Sequence, residues 1–196
     1  MKRCSIVIHS VSGNCYIIGS YLKEALSKRN VDVRFYRVED SDLHIWANRE
    51  ETVNEYYEDI VSLPVVTPEK LLKSDMIILG CPSVFGNVSA EMKTFLDSTV
   101  QMCEDQALSD KFVACFTSSR YSTGEGSRAL DCMIYWAQQN GMIHIPFAIR
   151  PDRPACDQPA QGIAHLEGGE SLVRPSSQLG EEIELYAGDL ASYIQD

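Results

Sequence analysis

The sequence is short of positive charge. Lys and Arg number 17 against 28 Asp and Glu, a formal net charge of −11, and no basic cluster interrupts that balance. Polyphosphate is repelled by such a surface, so no nucleic-acid partner is expected. Long apolar runs are missing too. None approaches the roughly 20 residues of a membrane span, so no membrane partner is expected either. The run Ile6-Val7-Ile8 is too short for a secretory leader and no small-residue cleavage site follows it. The seven cysteines are odd in number and form no Cys-x-x-Cys, and the four histidines are scattered. These absences point to a reducing, cytoplasmic setting with no disulfide framework and no metal site. Gly-x-x-x-x-Gly-Lys is absent, as is the dinucleotide pattern Gly-x-Gly-x-x-Gly. No acidic pair follows the first apolar run, which argues against a phospho-receiver domain.

What is present is an alternation. Short apolar or β-branched runs occur at Cys4 to His9, Val31 to Val38, Met76 to Cys81, Phe112 to Thr117 and Met142 to Phe147. Their length and composition predict strands. Between them, Asn14 to Arg29, Ser89 to Met102 and Ser127 to Asn140 repeat apolar residues at helical spacing, and Gly141 suits a C-cap. A last helix follows Ser176 or Ser177, either of which can cap it. Strands separated by helices imply right-handed crossovers and a parallel sheet covered on both faces. The 196 residues fit one α/β domain spanning 1–196. Two stretches break the rhythm. Residues 39–63 are acidic and irregular, with a short helix expected around Glu51 to Val61, and residues 150–175 read as a long loop.

In an open parallel sheet, ligands bind beyond the carboxyl ends of the strands, so three loops carry the functional argument. The first is Ser10-Val11-Ser12-Gly13-Asn14-Cys15, leading into a helix. Small hydroxyl and amide side chains around one glycine at a helix N-terminus suit a phosphate, although an ordinary helix cap looks similar. The second runs Pro82-Ser83-Val84-Phe85-Gly86, where a stiff strand exit, an aromatic and a flexible glycine suit a flat, polar-edged ring. The alternative is that Phe85 packs into the core. The third is Ser118-Ser119-Arg120-Tyr121-Ser122-Thr123-Gly124, rich in hydroxyls and ending at another helix start. By itself it could be a surface turn.

The segment Cys81-Pro82-Ser83-Val84-Phe85-Gly86-Asn87-Val88-Ser89-Ala90-Glu91-Met92-Lys93-Thr94-Phe95-Leu96-Asp97 resembles the flavodoxin-like superfamily, specifically the WrbA-type NAD(P)H:quinone oxidoreductases. Their pattern there runs Thr-Pro-Thr-Arg-Phe-Gly-Asn-Met-Ser-x-Gln-Met-Arg-Thr-Phe-Leu-Asp. Weaker similarities lie at Thr67-Pro68-Glu69, Gly141-Met142 and Arg174-Pro175-Ser176. The resemblance implies a three-layer flavodoxin-like fold with a five-stranded parallel sheet in the order 2-1-3-4-5. It implies FMN, its phosphate on Ser10, Ser12, Gly13, Asn14 and Cys15 and its ring against Pro82 to Gly86 and the loop from Ser118. It also implies NADH or NADPH as donor, a small-molecule acceptor such as a quinone, and a homodimer or homotetramer. The sequence departs from the family at Val84, where an arginine is usual. By gap-free count Cys103 stands where the family has a tryptophan, and Asn140 where it has a histidine, both around the quinone pocket. Arg120-Tyr121 is an addition to the third loop.

Single residues keep two readings. Cys15 could be an activated thiol at a helix N-terminus or fill a slot that accepts threonine. His9 reads as structural. Tyr121 could stack on the ring or face solvent, and the acidic stretch Glu39 to Asp59 could dock a basic redox partner or form a solvated face. For the whole chain the alternative to a reductase is a one-electron carrier docking redox proteins, as small flavodoxins do. The long loop at 150–175, available to cover a flavin, favours the enzyme.

Overall fold

The computed structural model describes residues 1–148, 157–169 and 172–195. Cys156 and part of the expected 150–175 loop therefore lie outside the described residues. Strands β1 (Arg3–Ile8), β2 (Asp32–Arg37), β3 (Met76–Pro82) and β4 (Phe112–Ser119) form a parallel sheet in the order β2-β1-β3-β4. The side chains of β3 are buried from Met76 through Cys81. A strand covered on both faces needs such a continuous apolar run.

The edge beyond β4 is shared. β5 (Ile143–His144) pairs with Phe112 and Val113, and β6 (Ile163–Leu166) pairs with Phe116 to Ser119, both in parallel. The fifth position of the expected 2-1-3-4-5 order is thus split between two strands, and residues 150–175 are not all loop. The expected strand Met142 to Phe147 stops early for a chemical reason. Pro146 has no N–H to give to the ladder. After Ile145 donates to the Val113 carbonyl, the Phe147 N–H turns to Ala160 instead. Gly162 lets the chain rejoin the sheet: a Cβ there would lie 2.0 Å from the Cys115 carbonyl oxygen.

Helices α1 (Asn14–Ser27) and α9 (Ser177–Gln195) cover one face of the sheet. Ile18, Leu22, Ile183 and Leu190 pack there on Cys4, Ile6 and Ile8. Tyr186 of α9 is buried and donates its hydroxyl hydrogen to the Ile145 carbonyl at 2.6 Å, which satisfies its one polar atom. Four short helices, α2 (Leu43–Ala47), α3 (Glu51–Asn54), α4 (Tyr57–Ser62) and α5 (Pro68–Leu71), connect β2 to β3. The first three make a satellite cluster in which Leu43, Val53 and Ile60 pack on Val11 and Tyr16. The acidic stretch is therefore more than a solvated face.

The other face of the sheet carries α6 (Ala90–Asp97), α7 (Val100–Glu104) and α8 (Thr123–Gln139). Met92, Leu96, Leu130 and Met133 pack there on Val7, Ile77, Leu79 and Cys115. The helix expected from Ser89 to Met102 is two helices, broken where Ser98 and Thr99 bond to backbone carbonyls of the preceding turn. The helix expected from Ser127 starts earlier because Ser122 caps it, accepting from the Glu125 N–H at 3.2 Å. Ser176 accepts from the Leu179 N–H and so serves as the expected cap of α9.

Cys4, Cys15, Cys81 and Cys115 are buried in these cores, while Cys103 and Cys132 are half-exposed. Burial pushes the Cys81 thiol up to about 12 and raises Cys4, Cys15 and Cys115 as well. Thiolate is the reactive form. Among the six described cysteines, Cys103 and Cys132 should react with dithionitrobenzoate in the native protein. The other four should react only after denaturation. Stepwise thiol titration, with the labelled peptides identified by mass spectrometry, checks this.

Candidate functional site

At the carboxyl edge of the sheet, β1 passes through His9 into the loop before α1. Gly13 takes φ 96 and is the N-cap residue of α1. That conformation costs an L-residue roughly 1–2 kcal/mol. A Cβ at Gly13 would also come within 2.5 Å of the Tyr56 ring. No backbone hydrogen bond leaves the N–H groups of Ser12, Gly13, Asn14 or Cys15 among the described residues. Ser10 Oγ accepts from the Tyr16 N–H at 3.2 Å and holds the loop against the first turn of the helix. The result is a cradle of amides at the positive end of a helix.

A strap of chain closes the other side of this cradle. β6 leads through Leu166 to Glu167, whose N–H donates to the Ser119 carbonyl at 2.8 Å. The Glu167 carboxylate accepts hydrogen bonds from Ser118 Oγ at 2.6 Å and Ser12 Oγ at 3.3 Å. Val173 accepts from Asn14 Nδ2 at 3.1 Å and from His165 Nε2 at 2.8 Å. Arg174 donates to the Ser12 carbonyl, to Asn14 Oδ1 and to the Glu55 carboxylate. Its guanidinium lies 4.7 Å from the centroid of the Tyr56 ring. Cys15 is buried against Ser118 with its thiol raised, first by desolvation and further by Cys81 and Glu167. Burial here outweighs any help from the helix N-terminus, so Cys15 fills a slot and is not an activated thiol.

The second loop is a tight turn. Val84 and Asn87 exchange backbone hydrogen bonds at 2.9 and 3.1 Å, and the two central residues have positive φ, 52 at Phe85 and 71 at Gly86. Gly86 accepts this freely, whereas an aromatic residue there is strained. Phe85 is 99% exposed, so it does not pack into the core. Ser83 ties the turn to the third loop, donating its N–H to the Ser118 carbonyl and its hydroxyl to the Glu125 carbonyl. Pro82 is the last residue of β3, paired with Ser118.

In the third loop Ser118 and Ser119 are buried, and Ser119 Oγ donates to the Ser122 carbonyl. Arg120 and Tyr121 are exposed; Arg120 donates to the Gly169 carbonyl of the strap and lies 5.6 Å from the Tyr121 ring centroid. Gly124 is in the first turn of α8, with nothing near the Cβ it lacks. The structure thus brings the three loops named from the sequence to one edge. A cavity of about 270 Å³ between the first and third loops, the α3 region and the strap is lined by Ser12, Glu50, Thr52, Arg120, Glu167 and Leu172, among others.

The two positions expected around a quinone pocket lie elsewhere in the protomer. Cys103 donates its thiol to the Gln139 carbonyl at the end of α8, and Asn140 follows that end. Both belong to the amino edge, where Gly141 accepts from the Asp110 N–H just before β4. The cradle is at the other end of the strands, roughly 20 Å away along β4 at the usual rise per residue. Within one chain their replacement leaves the cradle untouched.

Sequence reasoning missed Glu167, Arg174 and Tyr56. Arg174 stood in a weak family similarity and could have been weighed; Glu167 and Tyr56 had no local signal. It also missed that His9, Asp40 and Glu91 come together beside β1. There the hydrogen bond from His9 holds the Asp40 carboxyl below its usual range.

The donor set fits FMN. The cradle already receives an anionic oxygen on Ser12, the role a terminal phosphate would take, and Arg174 supplies a cation beside it. No helix among the described residues is long and apolar enough to cross a membrane. The chain is 28% identical over 143 residues to an NAD(P)H dehydrogenase (quinone) of Archaeoglobus fulgidus, covering 73% of this chain and 75% of the relative. It is 31% identical over 147 residues to quinone-oxidoreductase QR2 of Triphysaria versicolor, covering 72% and 67%. Its fold matches a flavodoxin, WrbA-like protein from Agrobacterium tumefaciens with a TM-score of 0.63, at 18% identity over 100% of this chain and 98% of that one. A flavodoxin from the domain Archaea matches with a TM-score of 0.65, at 18% identity over 99% of each chain. Residues 6–149 match the model of the NADPH-dependent FMN reductases, and the chain belongs to that family of flavodoxin-fold, FMN-dependent oxidoreductases.

Proposed function

We propose that this chain passes electrons from NADH or NADPH through FMN to a quinone or a similar small acceptor, as one cytoplasmic domain spanning 1–196. The observation that carries this reading is the amide cradle at residues 10–15, with a carboxylate already on Ser12 and a strap over it. The relatives named as quinone reductases support the acceptor class.

Bound FMN supplies two-electron hydride chemistry, which no side chain offers. The chain's own residues bind and orient it. The amides of Ser12, Gly13, Asn14 and Cys15, with the hydroxyls of Ser10 and Ser12, hold the phosphate. Pro82, Ser83, Val84, Phe85 and Gly86, with Ser118, Ser119, Arg120, Tyr121 and Gly124, would hold the ring. Arg174 fixes the cradle by gripping both the backbone and side chain of its loop, and the described strap residues 167–169 and 172–174 limit access of water.

Glu167 has to leave Ser12 before a phosphate takes its place. Glu167→Gln should therefore bind FMN about tenfold more tightly or better, since it removes a like charge at hydrogen-bond distance. Ser12→Asp should weaken FMN by a similar factor or more. Riboflavin, which has no phosphate, should respond much less to either change. Fluorescence titration of both flavins reads these effects; equal losses for the two would place the phosphate elsewhere.

The reaction is tested by mixing FMN-loaded protein anaerobically with NADH or NADPH and then with a benzoquinone or naphthoquinone. Rapid flavin bleaching by one nicotinamide nucleotide and reoxidation by the quinone is the expected result. No bleaching by either would favour the one-electron carrier.

We also propose a homodimer or homotetramer. An apolar groove of about 520 Å³ lies between α6 and α8, lined by Val88, Leu96, Cys132, Tyr135 and Trp136. Burying such a surface favours association, and closed symmetric assemblies are the common outcome. Light scattering at low micromolar concentration should give at least twice 21.9 kDa.

A further inference from the structure

His9, at the exit of β1, is 5% exposed, and its two ring nitrogens meet different surroundings. Nε2 lies 3.1 Å from Asp40 Oδ2. A carboxylate only accepts, so Nε2 carries a proton, and a neutral ring in that tautomer presents a lone pair at Nδ1. Nδ1 is buried without a hydrogen-bond partner. It faces Glu91 Oε2, in the first turn of α6, at 3.7 Å. Nδ1 and the Glu91 oxygen face each other across a gap too long for a hydrogen bond. A buried ring nitrogen without a partner is costly, and a cation bound there would remove that cost.

The gap has the size of a metal bite. A cation about 2.1 Å from each atom would subtend an angle of about 120°, close to tetrahedral or trigonal geometry. Asp40 stands where an orienting group belongs. Metal-bound histidines commonly donate their other N–H to a carboxylate, which fixes the tautomer and raises the basicity of the ligand nitrogen. Asp40 is itself held, accepting the Asp42 N–H on Oδ1 at 2.9 Å. Its side chain is 7% exposed, against 35% for Glu91, so an ion would enter from the Glu91 side. Together the two carboxylates balance a divalent charge.

We infer that His9 Nδ1 and the Glu91 carboxylate form a site for one divalent first-row cation, of the Mn²⁺ or Zn²⁺ class, with Asp40 orienting the imidazole from behind. Water completes the coordination. The site uses none of the cradle residues. Mn²⁺ is the cleaner probe, because the half-exposed thiols of Cys103 and Cys132 compete for Zn²⁺ but not for a hard ion.

The full chain, FMN-loaded and cleared of metal with a chelator, is titrated with Mn²⁺ and followed by loss of the free-ion paramagnetic resonance signal. Zn²⁺ is followed by calorimetry after the exposed thiols are alkylated. One ion per chain is expected. Glu91→Gln, at a partly exposed position, should weaken it at least tenfold. Asp40→Asn should weaken it roughly 10- to 100-fold by freeing the ring. Circular dichroism and retained flavin report that each variant is folded. No uptake at millimolar metal would overturn the assignment. Uptake unchanged in Glu91→Gln would equally overturn it, as adventitious binding to an acidic surface.

Discussion

The first N–H groups of α1 have no carbonyl in the helix to bond, and the carboxyl edge of the sheet is arranged around that deficit. Gly13, at φ 96, turns the chain so that the amides on either side of it share one concave face. The Tyr56 ring packs so closely on Gly13 that no side chain fits there, and Arg174 lies over that ring while gripping Ser12 and Asn14. Unpaired donors in such a place cost about 1–3 kcal/mol each. Glu167 bonds the Ser12 hydroxyl beside these donors and leaves the backbone N–H groups themselves unpaired. A phosphate offers more acceptor oxygens than a carboxylate and no side-chain entropy of its own to lose. The same geometry that accepts Glu167 is therefore better matched by an incoming anion.

The strap that delivers Glu167 depends on the split at the sheet edge. Pro146 ends the first half of the fifth strand, and Gly162 lets the chain return tightly against Cys115. β6 then pairs with the last four residues of β4, including Ser118 and Ser119 of the third loop. That pairing fixes the height at which Glu167 emerges, since its N–H still bonds to Ser119. An uninterrupted fifth strand would carry the chain past this edge without a covering segment. A cover over the cradle suits chemistry that must keep water away more than it suits an exposed electron-carrying edge.

What could be read from the sequence was what is local in it. The strands of the sheet centre are continuous apolar runs, and the three loops are contiguous segments, so their place at one edge follows from the topology rule alone. β6 escaped because four residues, Ile163-Ala164-His165-Leu166, are too few to show a period, and they lie in a stretch rich in proline and glycine. The exposure of Phe85 was not readable, because a Phe-Gly turn with positive φ at both positions leaves no mark distinct from a core aromatic. Cys103 and Asn140 were assigned to a pocket by alignment to a pattern. Their position along the strands puts them at the opposite edge, and counting residues carries no information about which end of a helix faces which end of the sheet. Contacts between distant segments were also out of reach. Arg174 on Ser12 and His9 on Asp40 join residues 162 and 31 positions apart.

A chain of net charge −11 that binds a dianion raises an apparent conflict. Exposed charges farther from the cradle than a Debye length, about 8 Å at physiological salt, are largely screened there. They slow the approach of the cofactor more than they weaken the complex. At contact, dipoles decide: oriented amides, hydroxyls and the end of a helix act within one hydrogen-bond length and are little screened. Arg174, the basic side chain that bonds the cradle, is already shared with Glu55 and the Tyr56 ring, so its charge is partly spent. That leaves Glu167 as the only unbalanced charge in hydrogen-bond contact with the cradle among the described residues. Affinity for a phosphate is therefore governed less by the acidic surface than by where this single carboxylate goes when the ligand arrives. Because Glu167 is anchored through its backbone to Ser119, it can leave Ser12 by a side-chain rotation with β6 still in place.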